Sequence, residues 1–543
     1  MVPPVRRRLL APSLLAGLLL LAGCRRRESP VARGDRDQVL HRSLGYEVAD
    51  LDPQLAAGIA EQGVASALFE GLVTEDPHDL HPVPGVAERW DVTPDGIAYT
   101  FHLRADARWS DGRPVTAQDF ADSIRRILTP SLAADNASLL YVLQGAEAYN
   151  RGVAADFSQV GVAVAGPRTL RLTLEHPTPY FLSLLTHAAW LPVPLATIAK
   201  YGPTDQRGNR WTEPGHLVGN GAFALKSWRP DQELVVEKSP TYWDAGHVRL
   251  NAIHFYPLDS VEAEERAFRA GQLHITDALP VGKLDAYRRD APQFLRLDPY
   301  LGTYFYRLNV NRPFLSDPRI RRALALAVDR GAIVGRILRG GQTPAGAFTP
   351  PGLDGYEPPA GYGTDFAAAR RLLAEAGHPG GSGLPAFRLV YNNSENHRLI
   401  AEALQETWRK ELGVEVQLSS QEEKTMLAAR RLGDYDLMRS SWIADYADPS
   451  SFLQVWASDS GNNYTGWSTP DYDSLLFAAA RTADPAARNA LWGKAESLLL
   501  AGAPIIPIYY YTHVFLIQPS VHGWYPTLLD HHPYKDVWLE SGG

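Results

Sequence analysis

Residues 387–418 read FRLVYNNSENHRLIAEALQETWRKELGVEVQL. Phe387–Tyr391 reads as a strand, His397–Leu412 as a helix and Gly413–Leu418 as the next strand. A strand–helix–strand unit of this kind implies two parallel strands and a right-handed crossover, so this part of the chain is α/β. His397 falls at the start of the helix, beside the carboxyl end of the first strand. A second stretch lies just downstream. Residues 434–453 read DYDLMRSSWIADYADPSSFL. Tyr435–Trp442 alternates loosely, as a strand does, and ends in Ala444-Asp445-Tyr446 before the Asp448-Pro449 turn signal. An aspartate just past the carboxyl end of a strand sits where open α/β sheets bind ligands. Arg439 is separated from it by about 20 Å of extended chain. An acid at one end and a base at the other suits a short zwitterion with charged termini. A surface aspartate and arginine flanking a core strand would read the same. His397 and Asp445 both face the same kind of crevice.

The chain has 543 residues, enough for two or three domains with a substantial core. Hydrophobic residues make up 45% and charged residues 21%, ordinary values for a soluble globular protein. The formal charge is −8 and no Lys/Arg-rich tract follows the leader, which argues against nucleic acid as a partner. The 24 tyrosines and 13 tryptophans serve a core equally well, but they also suit a large, adaptable ligand cavity.

Cys24 is the single cysteine, so no disulfide framework forms within one chain. Arg6–Arg8 form a positive segment, Leu9–Leu21 an apolar run too short for a comfortable membrane span, and Leu21-Ala22-Gly23-Cys24 follows directly. This resembles a bacterial lipobox, in which the cysteine is acylated and becomes the mature N-terminus. Two or more acyl chains would anchor the protein stably. Arg25–Asp37, with Pro30 and Gly34, reads as a flexible tether.

Further along, Val39–Leu44 is a plausible first strand, and Leu68–Val73, Pro84–Trp90 and Tyr99–Arg104 follow, the last alternating as a half-buried strand. Thr116 is a credible N-cap with Asp119 in the capping-box position. His187 lies in an apolar stretch and reads as a core histidine. Residues 219–223 and 242–244 bracket a hairpin centred on Pro230-Asp231. Val261–Ala270 reads as a helix, Gly271–Ile275 and Tyr304–Asn309 as strands, Arg319–Val328 as a helix, and Asp365–Ala376 as a helix capped by Thr364. Pro504–Tyr511 (PIIPIYYY) is β-prone and buries at least one tyrosine. His531-His532 has no evident third ligand, so no metal site is expected there, and no cofactor elsewhere.

Taken together and in order, the blocks from Val39 to Tyr511 resemble the periplasmic oligopeptide-binding proteins that serve ABC importers. The resemblance implies a periplasmic-binding-protein type II-like α/β fold with two lobes, a hinge and an extra inserted domain. It divides the chain into a leader (1–23), a tether (24–38), lobe I (39–69, 195–301 and 513–543), the inserted domain II (70–194) and lobe III (302–512). In that family an extended peptide lies between the lobes like an added strand. By resemblance, Asp445 receives the peptide α-ammonium, Ser441, Trp442 and Ile443 bond its backbone, and Gly58 and Ile59 form the facing segment. Arg439, Arg430 and His397 match basic groups that receive the C-terminal carboxylate, and Tyr511 lines the site. Asn136 stands where a tyrosine is expected, and Glu423, before Lys424, where an aromatic is expected. Both changes remove aromatic wall, and Glu423 suits basic peptides.

These readings imply a monomeric, lipid-anchored solute-binding protein on the periplasmic side of a bacterial membrane. Its partners are an oligopeptide and ABC permease subunits, and it has no catalytic activity. The nearest alternative is the same architecture bound to a cell-wall peptide, a dipeptide or haem. An extracytoplasmic hydrolase is a second class, but the chain lacks G-x-S-x-G, H-E-x-x-H and a nucleophilic cysteine. A structural or chemosensory lipoprotein is a third.

Overall fold

The computed structural model describes residues 28–540, Ala57 and Asp354 excepted. The leader, Cys24 and the first tether residues lie outside the described residues. Residues 30–37, expected to be flexible, instead form the helix Pro30–Asp37. Ser29 caps it by accepting from the Ala32 N–H, and Pro30 occupies a first-turn position where no N–H is needed. Gly34 is what lets this helix dock. A Cβ there would come within 2.3 Å of the Val39 carbonyl and 2.7 Å of the His274 ring. The glycine read as a sign of flexibility is a packing residue.

Three sheets carry the architecture. In the first, Val39–Ser43 pairs in parallel with Ala252–Tyr256, which continues antiparallel to Glu233–Lys238 and Phe223–Arg229. Its first two strands are far apart in sequence, and a second sheet is built from the chain between them. That sheet is antiparallel, in the order Ala87–Val92, Ala98–Leu103, Thr169–Thr173, Val162–Gly166. The helix Ala117–Leu128 starts with the expected capping box: the Thr116 hydroxyl accepts from the Asp119 N–H, and the Asp119 carboxylate accepts from the Thr116 N–H.

The third sheet has six strands, in the order Thr343–Pro344, Ile505–Leu516, Leu295–Leu308, Leu437–Ile443, Phe387–Asn392, Val416–Gln421. Phe387–Asn392 and Val416–Gln421 are parallel, with the helix Glu395–Leu412 between them in sequence, as the strand–helix–strand pattern implies. The second strand begins later than expected, because Gly413 is left-handed (φ 66°) and ends the helix instead. Side chains alternate across the sheet. Tyr304, Tyr306 and Leu308 join one core with Leu389, Trp408 and Ile506, while Leu301 and Phe305 join another with Phe348, Trp456 and Trp492.

Three expectations need correction. The strand expected at Tyr304–Asn309 runs from Leu295 to Leu308. Pro299 pairs with Thr512 at the point where the ladder is interrupted, so its missing N–H is tolerated. Leu295–Leu308 and Ile505–Leu516 are therefore two long partners. Their Leu295–Pro299 and Thr512–Leu516 halves meet the first sheet through Ile275, which bridges Arg42 and Ile517. Their other halves belong to the third sheet. Gly271–Ile275 contributes only that bridge rather than a strand. Asp365, not Thr364, caps the helix Phe366–Glu375, and the Thr364 hydroxyl donates to the Val328 carbonyl.

Candidate functional site

Leu437–Ile443 decides the site. One edge of this strand pairs antiparallel with Gly302–Leu308 along its whole length. On the other edge, pairing with Phe387–Asn392 stops after Leu389–Leu437 and Val390–Met438. From Arg439 to Ile443 that edge is covered by no described strand. It is an open row of backbone donors and acceptors of the kind an extended chain can complete. Ser441, Trp442 and Ile443 lie on this stretch and are each half-buried. The Trp442 indole N–H is fixed by the Ser451 carbonyl at 2.7 Å.

Asp445 stands just beyond the strand. Its backbone N–H donates to the Ser451 hydroxyl at 3.0 Å, which fixes the residue. Its half-buried carboxylate has no hydrogen-bond or ion-pair partner among the described residues. Burial pushes its pKa up to about 6. A carboxylate held this way gains most from a cation placed against it.

At the other end, Arg439 donates to the Tyr511 hydroxyl at 3.2 Å, lies 5.0 Å over the Tyr304 ring, and has a buried Nε–H without a partner. No carboxylate pairs with it among the described residues. Tyr304 also joins His397, whose Nδ1 is 3.3 Å from the Tyr304 hydroxyl. Arg439, Tyr511 and His397 are thus brought together as expected. They line a cavity of roughly 310 Å3 together with Leu279, Leu284 and His513.

The charge of that cavity differs from the expectation. His397 was read as a basic group, but burial and then the Arg439 charge lower its pKa to about 3. It is a neutral hydrogen-bonding group. His513 was not singled out by sequence. Burial alone would lower its pKa, but the Asp530 carboxylate 2.9 Å away more than offsets this and lifts it to about 9. His513 is thus a second charged side chain lining the same cavity as Arg439, paired with Asp530. Tyr300, Tyr304 and Tyr509 were also missed as site residues. They form an aromatic cluster with Tyr511, including a Tyr304–Tyr509 stack at 4.8 Å.

Arg430 joins a different group. It lies 4.6 Å over the Tyr464 ring, which Arg307 also faces. Glu423, at the first turn of Glu423–Leu432, is exposed and bonds to none of these residues. Gly58 and Ile59 open the helix Ile59–Leu68, where Ile59 is 59% exposed. A Cβ at Gly58 would meet Glu61 Oε2 at 2.1 Å and the Tyr46 hydroxyl at 2.5 Å, so both side-chain ends would have to shift to admit one. The Asn136 amide donates to the Ala56 carbonyl at 3.1 Å, so it supports the approach to Gly58. His187 is a buried histidine whose Nδ1 accepts from the Ala189 N–H. His531 pairs with Glu75 and His532 with Asp530, each through a ring nitrogen.

The chain is 38% identical to the periplasmic oligopeptide-binding protein OppA of Escherichia coli over 531 residues, 96% of each chain. It superposes on the murein tripeptide binding protein MppA of Escherichia coli with a TM-score of 0.82 at 35% identity, covering 92% of this chain and 98% of that one. Against the unliganded open form of MppA the TM-score is 0.75 at 36% identity, over 93% and 97%. Haemophilus influenzae OppA in complex with RPPGFSPFR gives 0.81 at 32% identity, over 93% and 99%. The fold is therefore the type II periplasmic-binding-protein one, with two lobes and an inserted domain. Residues 81–464 match the model described as bacterial extracellular solute-binding proteins, family 5 Middle, and the chain belongs to that family.

Proposed function

We propose that this protein captures oligopeptides between its lobes, outside the cytoplasm, and delivers them to an ABC importer without chemical change. The observation that carries this reading is the uncovered edge Arg439–Ile443, flanked by the partnerless Asp445 carboxylate and the Arg439 guanidinium. An extended peptide completes such an edge by backbone hydrogen bonds to Ser441, Trp442 and Ile443. Its ammonium pairs with Asp445. Its carboxylate meets Arg439, with His513 adding positive charge and His397 a neutral hydrogen bond. Gly58 and Ile59 supply the facing wall, Asn136 holds their approach, and Tyr511 walls the cavity. Arg430 serves a longer guest, and Glu423 meets its side chains. Backbone contacts give affinity with little sequence preference, which suits a transport protein.

The units that close are lobe I (39–69, 195–301 and 513–543) and lobe III (302–512), with domain II (70–194) inserted in the first. The paired strands Leu295–Leu308 and Ile505–Leu516 pass from the first sheet to the third and form the hinge. Among the described residues no helix is long and apolar enough to cross a membrane. Attachment is by acylation of Cys24, on the strength of Leu21-Ala22-Gly23-Cys24. The working unit is a monomer.

Calorimetry with tetra-alanine and its N-acetylated form tests the reading. Tight binding of the free peptide and at least a hundredfold loss for the blocked one is expected. Equal affinity for the two overturns it. Mass spectrometry of material co-purifying with the protein identifies the natural guests. A Cys24→Ser chain that stays in the membrane fraction disproves the anchor.

A further inference from the structure

The residue after Asp445 does something different. Tyr446 is turned away from the open strand edge and buried, 5% exposed, in the core shared by the first two sheets. There its ring stacks on Tyr180, with centroids 5.0 Å apart and planes 5° from parallel. Tyr180 comes from domain II as bounded above, and Tyr446 from lobe III. The Arg488 guanidinium lies 5.3 Å over the Tyr180 ring. It also makes a bidentate ion pair with Asp448, at 2.7 and 2.8 Å. Asp448 in turn accepts from the Ser450 N–H and hydroxyl, and the Ser450 hydroxyl meets the Tyr446 hydroxyl at 3.1 Å. Residues 445–450 are therefore held from both sides. One side of the loop presents a carboxylate to the guest, and the other is clamped by an aromatic ring from the opposite half of the molecule.

We propose that Tyr180 is a positioning residue for the guest: stacked on Tyr446 and beneath Arg488, it locks the Asp445 loop in place when the lobes are shut. Nothing in the ligand need touch Tyr180. The stack forms only when domain II and lobe III meet, so it stabilises the closed state and slows escape of the guest. Its chemistry suits a reversible contact. Offset aromatic stacking and a cation over a ring are short-range and modest, so the latch releases when the lobes part.

This inference rests on the peptide-binding reading for its kinetic test, and a second measurement frees it from that reading. In stopped-flow displacement of tetra-alanine, Tyr180→Ala is expected to dissociate about tenfold faster, the size of one stacked pair plus one cation–ring contact. The association rate should change little. Tyr180→Phe keeps the ring but loses the hydroxyl contacts to Ser450 and Gln454, and should lie closer to the wild type than to Tyr180→Ala. The second measurement is the distance distribution between spin labels at Val153→Cys and Phe477→Cys, two exposed sites on domain II and lobe III, in a Cys24→Ser chain without peptide. Tyr180→Ala is expected to deplete the short distances that wild type and Tyr180→Phe retain. Dissociation rates and distances unchanged in Tyr180→Ala overturn the latch. So does a Tyr180→Phe chain as impaired as Tyr180→Ala. If wild type binds no tetra-alanine, the peptide reading fails and the distances alone decide the latch.

Discussion

Asp445 and Arg439 sit at opposite ends of one strand edge that no described strand covers, and among the described residues the acid has no cation and the cation no acid. Each is held by its surroundings rather than by the other. Ser451 fixes the backbone of Asp445, and Tyr511 and Tyr304 hold the guanidinium of Arg439. The separation is set by the strand, and under the proposed function it would act as a ruler for a linear guest with charged termini.

Asp445→Asn separates binding from stability. Removing the partner of the guest's ammonium costs several kcal/mol of affinity, about 3–5 by analogy with broken buried pairs. The unliganded protein should respond in the opposite sense. Its folded-state pKa of about 6 lies above the ordinary 3.8, so above pH 6 the ionised group works against folding. At 1.36 kcal/mol per pH unit, discounted for the solvent that reaches a half-buried group, Asn should stabilise the empty protein by about 2 kcal/mol at pH 7.5. Urea unfolding without peptide, alongside calorimetry with it, checks both halves. A variant that loses stability and affinity together contradicts the prediction.

The same shift gives a pH dependence. A guest's ammonium pairs with the ionised carboxylate, so binding below pH 6 must first expel a proton from Asp445. Affinity for tetra-alanine should be greatest near pH 7, weaken by about two- to threefold toward pH 8 as the peptide's own α-ammonium loses its proton, and fall by up to about tenfold per unit below 6. Asp445→Asn should abolish that fall. Calorimetry between pH 4.5 and 8 measures it, and an affinity that is level down to pH 5 rejects the assignment.

Arg439→Gln tests the other end. A hydrogen bond to a charged group is worth about 1.5–3 kcal/mol, so the wild type should prefer a free C-terminus over a C-terminal amide by roughly 10- to 100-fold. In the variant the preference should shrink to the part that His513 sustains. Paired titrations with tetra-alanine and its amide give the ratio directly, and an undiminished ratio in Arg439→Gln shows that the carboxylate goes elsewhere.

Local pattern made some of this legible and tertiary contact hid the rest. The strand ending before Asp445 and the strand–helix–strand unit around His397 follow from alternation and helical spacing, both local signals, although Gly413 ends the helix rather than opening the strand. The openness of the Arg439–Ile443 edge does not. It depends on where pairing with Phe387–Asn392 stops, a register between segments far apart in sequence. The continuity of Leu295–Leu308 through Pro299 is set by its pairing with Ile505–Leu516, a partner far along the sequence. Gly34 suggested a tether because the His274 ring that packs on it comes from a segment far along the sequence. Charge states were least accessible. His397 and His513 are the same residue type near the same cavity. One is discharged by burial beside Arg439 and the other charged by Asp530.

That contrast yields a last prediction. With a pKa lowered to about 3, His397 is neutral throughout the working range and offers its Nδ1 side to Tyr304 rather than charge to a carboxylate. Its imidazole nitrogen shifts should therefore stay constant from pH 5 to 8, while those of His513 report a protonated ring until pH approaches 9. His397→Gln keeps a neutral donor and acceptor and should hold tetra-alanine within about threefold, because one neutral hydrogen bond is worth about 0.5–1.5 kcal/mol and the glutamine restores part of it. His513→Gln instead leaves the buried Asp530 with a neutral neighbour in place of a cation. It should destabilise the protein and weaken the grip on a free C-terminus together. A His397 resonance titrating near the ordinary histidine value, or a His397→Gln variant as damaged as Arg439→Gln, would return His397 to the role of cation and remove His513 from it.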